Sequence, residues 1–289
     1  MRLLVLGETG QLAQSLLERA GAASDIEAKA LGRGAIDFER PETLAEAICA
    51  ERPEVVVNAA AYAAVDAAED EEARAFAVNA VGAGEAARAS ADIGAAFIHT
   101  STDYVFDGSG EDARDEQAPT APLGAYGRSK LAGEDSVRAA HPGALIVRTA
   151  WLYSPFGHNF VHTMMNAARE RDELRVVADQ RGNPTSALDL ADGLLAAARQ
   201  GWSDGATFHL AGNGVASWAE FADAIMDECR RLGLPAARIV PIPTSDYPTR
   251  ARRPENSMLD SGRFQERFRF AMPDWRTSLG AVVRRLGQG

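Results

Sequence analysis

Short apolar runs alternating with helix-length segments fill the first 150 residues and leave few folds open to the chain. Residues 2–7, 26–31, 55–58, 95–100 and 145–148 read as strands, with helices at 11–20, 42–51, 67–93 and 126–140 between them. Alternating βα units of this kind predict an α/β fold: a doubly wound, Rossmann-like parallel sheet with helices on both faces. Strands buried on two sides should be continuous apolar runs, and Val55-Val56-Val57 fits that rule. Beyond Trp151 the pattern loosens. Helices are expected at 159–170, 187–198 and 218–232, and short strands at 174–177 and 208–210. Four prolines between 241 and 254 predict an extended, turn-rich loop. The expected division is a first domain over 1–150, to which segments near 172–200 return, and a smaller, discontinuous α+β domain over 151–289.

Composition narrows the function classes. No apolar run approaches the roughly 20 residues that cross a bilayer, and residues 3–6 are too short a run for a secretory segment. Cys49 and Cys229 are far apart and lack neighbours at metal-ligand spacing, which argues against disulfides and structural zinc. A net charge of −11 disfavours a broad nucleic-acid surface. The expectation is a cytoplasmic protein with neither nucleic-acid nor membrane partners.

The first strand runs into Gly7-Glu8-Thr9-Gly10-Gln11-Leu12-Ala13, and a helix follows at once. Glycines permit a tight turn and let a pyrophosphate approach the N–H groups of a helix N-terminus, where the dipole favours negative charge. The spacing is G-x-x-G-x-x-A rather than G-x-G-x-x-G, so its place after the first strand carries most of the weight. Gly7, Thr9 and Gly10 form the candidate cradle of a dinucleotide. Asp37 and Phe38 are placed to meet its adenosine half. Ala59, Ala60 and Ala61, after Asn58, leave room for a cofactor against the backbone, although close strand–helix packing explains them equally well. Arg33, near the end of the second strand, suits a ribose 2′-phosphate and favours NADPH over NADH, with an ordinary surface arginine as the alternative.

Tyr126 and Lys130 stand at i and i+4 on one face of a helix. A phenol with a pKa near 10 is a poor acid–base group at neutral pH, and a neighbouring ammonium lowers that value by stabilising the phenolate. Of the 30 basic residues only Lys29 and Lys130 are lysines, so a lysine at this position is a chemical choice. By spacing alone the pair is also a common solvated one. Its place in a glycine-turn βα fold makes it a proton-transfer pair. A third group is expected at the end of the fourth strand, where ligands bind in open α/β sheets. Thr100, Ser101 and Thr102 all fall there; Thr102 is the selected donor to a substrate carbonyl oxygen. Alternation along the strand leaves open which of the three points inward.

These residues resemble the extended short-chain dehydrogenase/reductase family, and within it the reductases of nucleotide-linked 4-keto sugars. The likeness runs nearly end to end. It includes the glycine turn, Val57-Asn58-Ala59-Ala60-Ala61 with Val65-Asp66, Ser101-Thr102-Asp103-Tyr104-Val105-Phe106 and Pro122-Leu123-Gly124-Ala125-Tyr126-Gly127-Arg128-Ser129-Lys130. It continues through Arg148-Thr149-Ala150-Trp151, Asp179-Gln180-Arg181-Gly182-Asn183-Pro184-Thr185 and Tyr247-Pro248-Thr249-Arg250-Ala251-Arg252-Arg253-Pro254. The resemblance implies reduction of the C4 keto group of dTDP-4-dehydro-L-rhamnose to dTDP-L-rhamnose by NADPH or NADH, the last step of dTDP-rhamnose synthesis. It implies that Tyr126 is the proton donor, Lys130 its helper and Thr102 the third catalytic group. Gly10, Gln11, Leu12, Asp37, Phe38, Ala61, Tyr126 and Lys130 would surround the cofactor, and Thr102, Asp103 and Trp151 would contact the sugar. The Trp151 ring suits the C–H face of a pyranose, or a core. Two phosphates on the dTDP-linked 4-keto sugar call for a local basic patch in this acidic chain. Arg250, Arg252 and above all Arg253 are the candidates.

Some family members hold Mg²⁺ at a dimer interface through glutamates after the glycine turn and after the Pro-Thr segment. Here Ser15 and Leu188 stand at those positions and offer no hard oxygen ligands, so no such metal is expected. The chain is expected to be a monomer or a dimer without a bridging Mg²⁺. Two rival readings remain at this point. A non-catalytic NADP-binding regulatory subunit of the same fold would dispense with Tyr126 and Lys130. An epimerase or dehydratase is the other, and a dehydratase would want an acidic pair after Thr102, where Asp103 is followed by Tyr104.

Overall fold

The apolar runs become the central strands β1 (Arg2–Leu6), β2 (Glu27–Leu31), β3 (Val55–Asn58), β4 (Ala96–Thr102) and β5 (Leu145–Thr149) in a computed structural model that describes residues 1–202 and 204–288. Between them run α1 (Gln11–Gly21), α2 (Glu42–Glu51), α3 (Glu72–Phe76), α4 (Ala83–Asp92) and α5 (Ala125–Ala140). With β10 (Thr207–His209) these strands form a six-stranded parallel sheet in the order β10-β5-β4-β3-β1-β2. This is the doubly wound α/β sheet expected from the sequence. Leu3, Val5, Val57, Ile98 and Val147 face a core shared with α1 and α7 (Ala187–Gln200). Leu4, Leu6, Val56, Phe97 and Ile146 face a second one shared with α2 and α4. Apolar side chains on both faces explain why these runs do not alternate. Strand order reverses between β1 and β3, which opens a crevice beyond their carboxyl ends, at Gly7 and Ala59.

The second half adds β6 (Leu152–Tyr153), α6 (Phe160–Ala167), β7 (Glu173–Val177), β8 (Arg181–Gly182), β9 (Thr185–Ser186), β11 (Ala216–Ser217) and α8 (Trp218–Arg231). After these come β12 (Arg238–Ile242), β13 (Asn256–Ser257), α9 (Gly262–Phe268) and α10 (Trp275–Gly287). Tyr153, Val161, Phe221, Ile225, Trp275 and Val282 build a separate core among α6, α8 and α10. Helix α8 opens on a capping box in which Ser217 and Glu220 satisfy each other's backbone amides. Of residues 172–200, α7 lies on the large sheet, whereas β7 pairs with β12 outside it.

Two local expectations change. Residues 67–93 do not form one helix. A 3₁₀ turn (Ala67–Glu69), α3, a π-helical turn (Ala77–Gly82) and α4 follow one another, with Glu71 off the helical conformation. The proline-rich stretch also begins as strand: Pro241 and Ile242 belong to β12, which among the described residues pairs with β7 alone, and an edge strand tolerates proline. Among the described residues no helix is long and apolar enough to cross a membrane.

Candidate active site

At the carboxyl end of β4 the three hydroxyls differ in their partners. Thr100 Oγ1 donates to the Asn58 carbonyl at 2.9 Å, and Ser101 Oγ donates to the buried Glu134 carboxylate at 2.6 Å. Thr102 alone is left at the strand end. Its hydroxyl accepts from the Tyr104 amide at 3.2 Å and donates to Asp103 Oδ1 at 3.1 Å. Tyr126 and Lys130 come up beside it on α5. That helix is bolted to β5 by a bidentate pair, Arg148 Nε and Nη2 on Glu134 at 2.8 and 2.7 Å, with Arg148 also over the Phe106 ring. Gly127 and Gly133 let α5 approach closely. A Cβ at Gly127 would strike the Tyr104 carbonyl, and one at Gly133 would strike the Asn79 carbonyl.

Electrostatics differ from the simple pair picture. Burial pushes the Tyr126 phenol above its ordinary value; a hydrogen bond with Thr102 offsets part of that, while Asp103 and Tyr104 add to it. Lys130 Nζ donates to the Thr100 carbonyl at 2.7 Å, and burial pulls its pKa down to about 8 against the charge of Glu134. The expected lowering of the phenol by the ammonium is not seen: desolvation leads at both groups, and Lys130 is not among the groups that shift Tyr126. Asp103 is buried with one carboxylate oxygen unpartnered, and burial raises its pKa to about 6 against hydrogen bonds from Ser257 and Thr102. Beneath Lys130, burial holds His99 well below its ordinary value, and its Nδ1 lies 3.2 Å from Asn58 Nδ2.

The glycine turn suits a dinucleotide. Gly7 has φ +108°, a conformation for which glycine is the natural residue, and a Cβ there would sit 3.4 Å from the Ala59–Ala60 backbone. Helix α1 has no side-chain cap and no acid in its first turn, so its amides are free to meet an anion. Gly10 is its N-cap, and Thr9 and Gly10 are exposed. Gln11 accepts from Ser154 Oγ at 3.0 Å. The Leu12 side chain is core, leaving only its backbone for a ligand. Phe38 is likewise mostly buried against Gly82. Asp37 is tied to Arg40 and to the Glu39 amide, each at 2.9 Å, and Arg40 holds its carboxyl below the usual range. Ala59 and Ala60 are half-buried and Ala61 is exposed along the crevice. Arg33 is exposed and has no ion pair among the described residues, but the Glu8 side chain packs on Gly32, so the end of β2 carries an acid as well as a base.

Two expected substrate contacts are engaged within the chain. Trp151 adopts φ +45°, an uncommon conformation for a bulky residue, and stacks on Trp218 with centroids 3.5 Å apart. Nothing in the sequence set Trp218 apart from a core residue of an amphipathic helix. Arg253 Nη2 donates to Asp66 at 2.7 Å and its Nη1 points to the Tyr104 hydroxyl at 3.5 Å. Arg250 pairs with Asp70, and Arg252 is exposed. Among the described residues no group of three or more His, Cys, Asp or Glu side chains is gathered to hold a metal ion.

The chain is similar in both sequence and fold to known dTDP-4-dehydrorhamnose reductases. A dTDP-4-dehydrorhamnose reductase of Burkholderia thailandensis is 44% identical over 297 residues, covering 99% of each chain. The crystal structure of a dTDP-4-dehydrorhamnose reductase from Clostridium acetobutylicum superposes with a TM-score of 0.92 at 35% identity, over 99% of this chain and 100% of that one. A Bacillus anthracis dTDP-4-dehydrorhamnose reductase in complex with NADP gives 0.90 at 33% identity, over 97% and 98%. The family model described as RmlD substrate binding domain matches residues 1–288. The chain belongs to the RmlD substrate binding domain family.

Proposed function

We propose that this protein reduces the C4 keto group of dTDP-4-dehydro-L-rhamnose to dTDP-L-rhamnose, with NADPH or NADH as reductant. The observation that carries the reading is the convergence of Thr102, Tyr126 and Lys130 at the carboxyl end of β4, beside the Gly7 turn. The full-length relatives named as reductases favour it over a regulatory subunit, an epimerase or a dehydratase.

When bound, the nicotinamide supplies a hydride to the keto carbon. Reduction leaves charge on the C4 oxygen, and Thr102 would donate a hydrogen bond to it once its proton turns from Asp103. Tyr126 then gives its phenolic proton to that oxygen. A phenol raised by burial stays protonated at neutral pH, which is the state a donor needs. The Lys130 ammonium stabilises the phenolate left behind. Asp103 and Trp151 would bind the sugar, and Arg253 the diphosphate. Gly7, Thr9, Gly10, Gln11 and Leu12 would hold the cofactor pyrophosphate, Asp37 and Phe38 its adenosine half, and Ala59, Ala60 and Ala61 the crevice wall.

The test follows NADPH absorbance during incubation with the keto-sugar nucleotide. Stoichiometric oxidation is expected, and Tyr126→Phe should lower kcat by roughly 10²–10⁴ with little change in KM. A silent trace with tight NADP binding would instead favour the regulatory reading.

A further inference from the structure

The acidic turn 66–70 joins two parts of the site that are remote in sequence. Asp66 Oδ1 accepts the Ala251 amide at 3.0 Å, while its Oδ2 accepts Arg253 Nη2 at 2.7 Å. Asp70 takes Arg250. Between them, Glu69 Oε1 accepts the Ala125 amide at 2.8 Å, the residue before Tyr126, at a helix start with no side-chain cap of its own. A Cβ on Gly124 would lie 2.5 Å from that same oxygen, so Glu69 sits tightly under the first turn of α5. Arg253 reaches on to Tyr104, whose ring meets that of Tyr126 edge-on at 5.5 Å.

We infer that Asp66 is a positioning residue, which aims the Arg253 guanidinium and fixes the 250–253 backbone for the diphosphate of the substrate, in register with the helix that carries Tyr126. The inference rests on the proposed role of Arg253. A half-exposed ion pair contributes little to stability, with side chains 28% and 43% exposed here. Orientation is where this contact counts. Arginine recognises phosphate through a planar fork, and a long side chain free to rotate is seldom aimed. With one nitrogen on Asp66 and another turned to Tyr104, the plane is set, and N–H groups remain for phosphate oxygens. The second Asp66 oxygen holds the loop backbone, so the guanidinium and its base are fixed by one carboxylate.

Steady-state kinetics of Asp66→Asn, Arg253→Ala and the double variant decide the matter. Asp66→Asn should raise KM for the nucleotide-sugar about tenfold, with kcat within about twofold and the KM for NADPH unchanged. Arg253→Ala should raise the same KM at least as far, and adding Asp66→Asn to it should have no further effect. An unchanged sugar KM in Asp66→Asn overturns the inference. So does a lowered one, because Asp66 would then compete with phosphate for the guanidinium. Full additivity in the double variant overturns it too, as does a parallel loss of affinity for NADPH, which marks general damage to the fold. If Arg253→Ala leaves KM unchanged, it is the phosphate role of Arg253 that fails.

Discussion

At Lys130 an ammonium is buried with the Thr100 carbonyl as its hydrogen-bond acceptor, and burial holds its pKa at about 8 where an unfolded chain has about 10.5. Between those values the unfolded chain binds more protons than the folded one, so this group makes stability rise with pH. Below about 8 the penalty is fully present, and the difference amounts to roughly 3 kcal/mol. Lys130→Met removes the titration and leaves every other group in place. The gap in unfolding free energy between variant and wild type, measured in urea, should move toward the wild type by roughly 2–4 kcal/mol from pH 7 to 10. A gap independent of pH would show that the lysine is not desolvated. The sequence made this residue conspicuous, since Lys29 is the only other lysine. It did not reveal the direction of the electrostatics, because i,i+4 spacing says that two side chains share a face and nothing of the carbonyl one of them finds. That acceptor lies 30 residues away on β4. The same limit applies to Trp151, whose neighbour Trp218 is brought in only by α8.

The contact between α5 and the π-helical turn sets the height of the catalytic helix. Asn79 lies in that turn. Its side chain accepts the Tyr62 amide at 2.8 Å and donates to the Tyr62 carbonyl at 3.1 Å and to Ser129 Oγ at 2.9 Å. Its carbonyl lies where a Cβ on Gly133 would be. Two effects oppose each other for Gly133→Ala. Helix propensity favours alanine by about 1 kcal/mol, and overpacking a tight contact costs about 1–3 kcal/mol or more. Backbone on one side and a helix on the other leave little room to yield, so the second effect wins. The variant should lose about 2 kcal/mol net in chemical denaturation, and kcat should fall as Tyr126 and Lys130 shift from Thr102. A variant as stable and active as the wild type would remove this contact from the account. The π turn was not legible in residues 67–93 because their alanines favour helix throughout. What the sequence hid is tertiary: Asp66 and Glu69 are drawn to the 250–253 loop and to α5 before the break at Glu71, and within the π turn Asn79 is drawn to Tyr62 and Ser129. Strands such as β3 were legible because their local pattern and their burial agree.

In the whole molecule the first 150 residues supply the sheet, the glycine turn and the proton-transfer residues, while Trp218, Arg253 and Ser257 reach the same region from the second half. The small sheets there were hidden from sequence reading because two-residue strands such as β8 and β13 carry no periodicity. The surface of α1, α7 and α10 is where assembly can be tested. Ser15 is fully buried and donates to the Gln11 carbonyl at 2.8 Å, and Leu188 is 7% exposed. The acids nearby already have partners. Glu18 takes Arg285 at 2.7 and 2.9 Å, Asp192 takes Arg19 at 3.2 Å, and Asp189 takes Ser278. A divalent ion would have to displace arginines and would find no set of free carboxylates there among the described residues, whereas Mg²⁺ demands several well-placed oxygens. Light scattering of the protein without substrate should therefore give the same mass in EDTA and in millimolar Mg²⁺. Substrate is left out because its diphosphate binds the ion directly. A mass that doubles with Mg²⁺ would mean that other oxygens on this face assemble a site between two chains, and the ion pairs of Glu18 and Asp192 would be the first to re-examine by Glu18→Gln and Asp192→Asn.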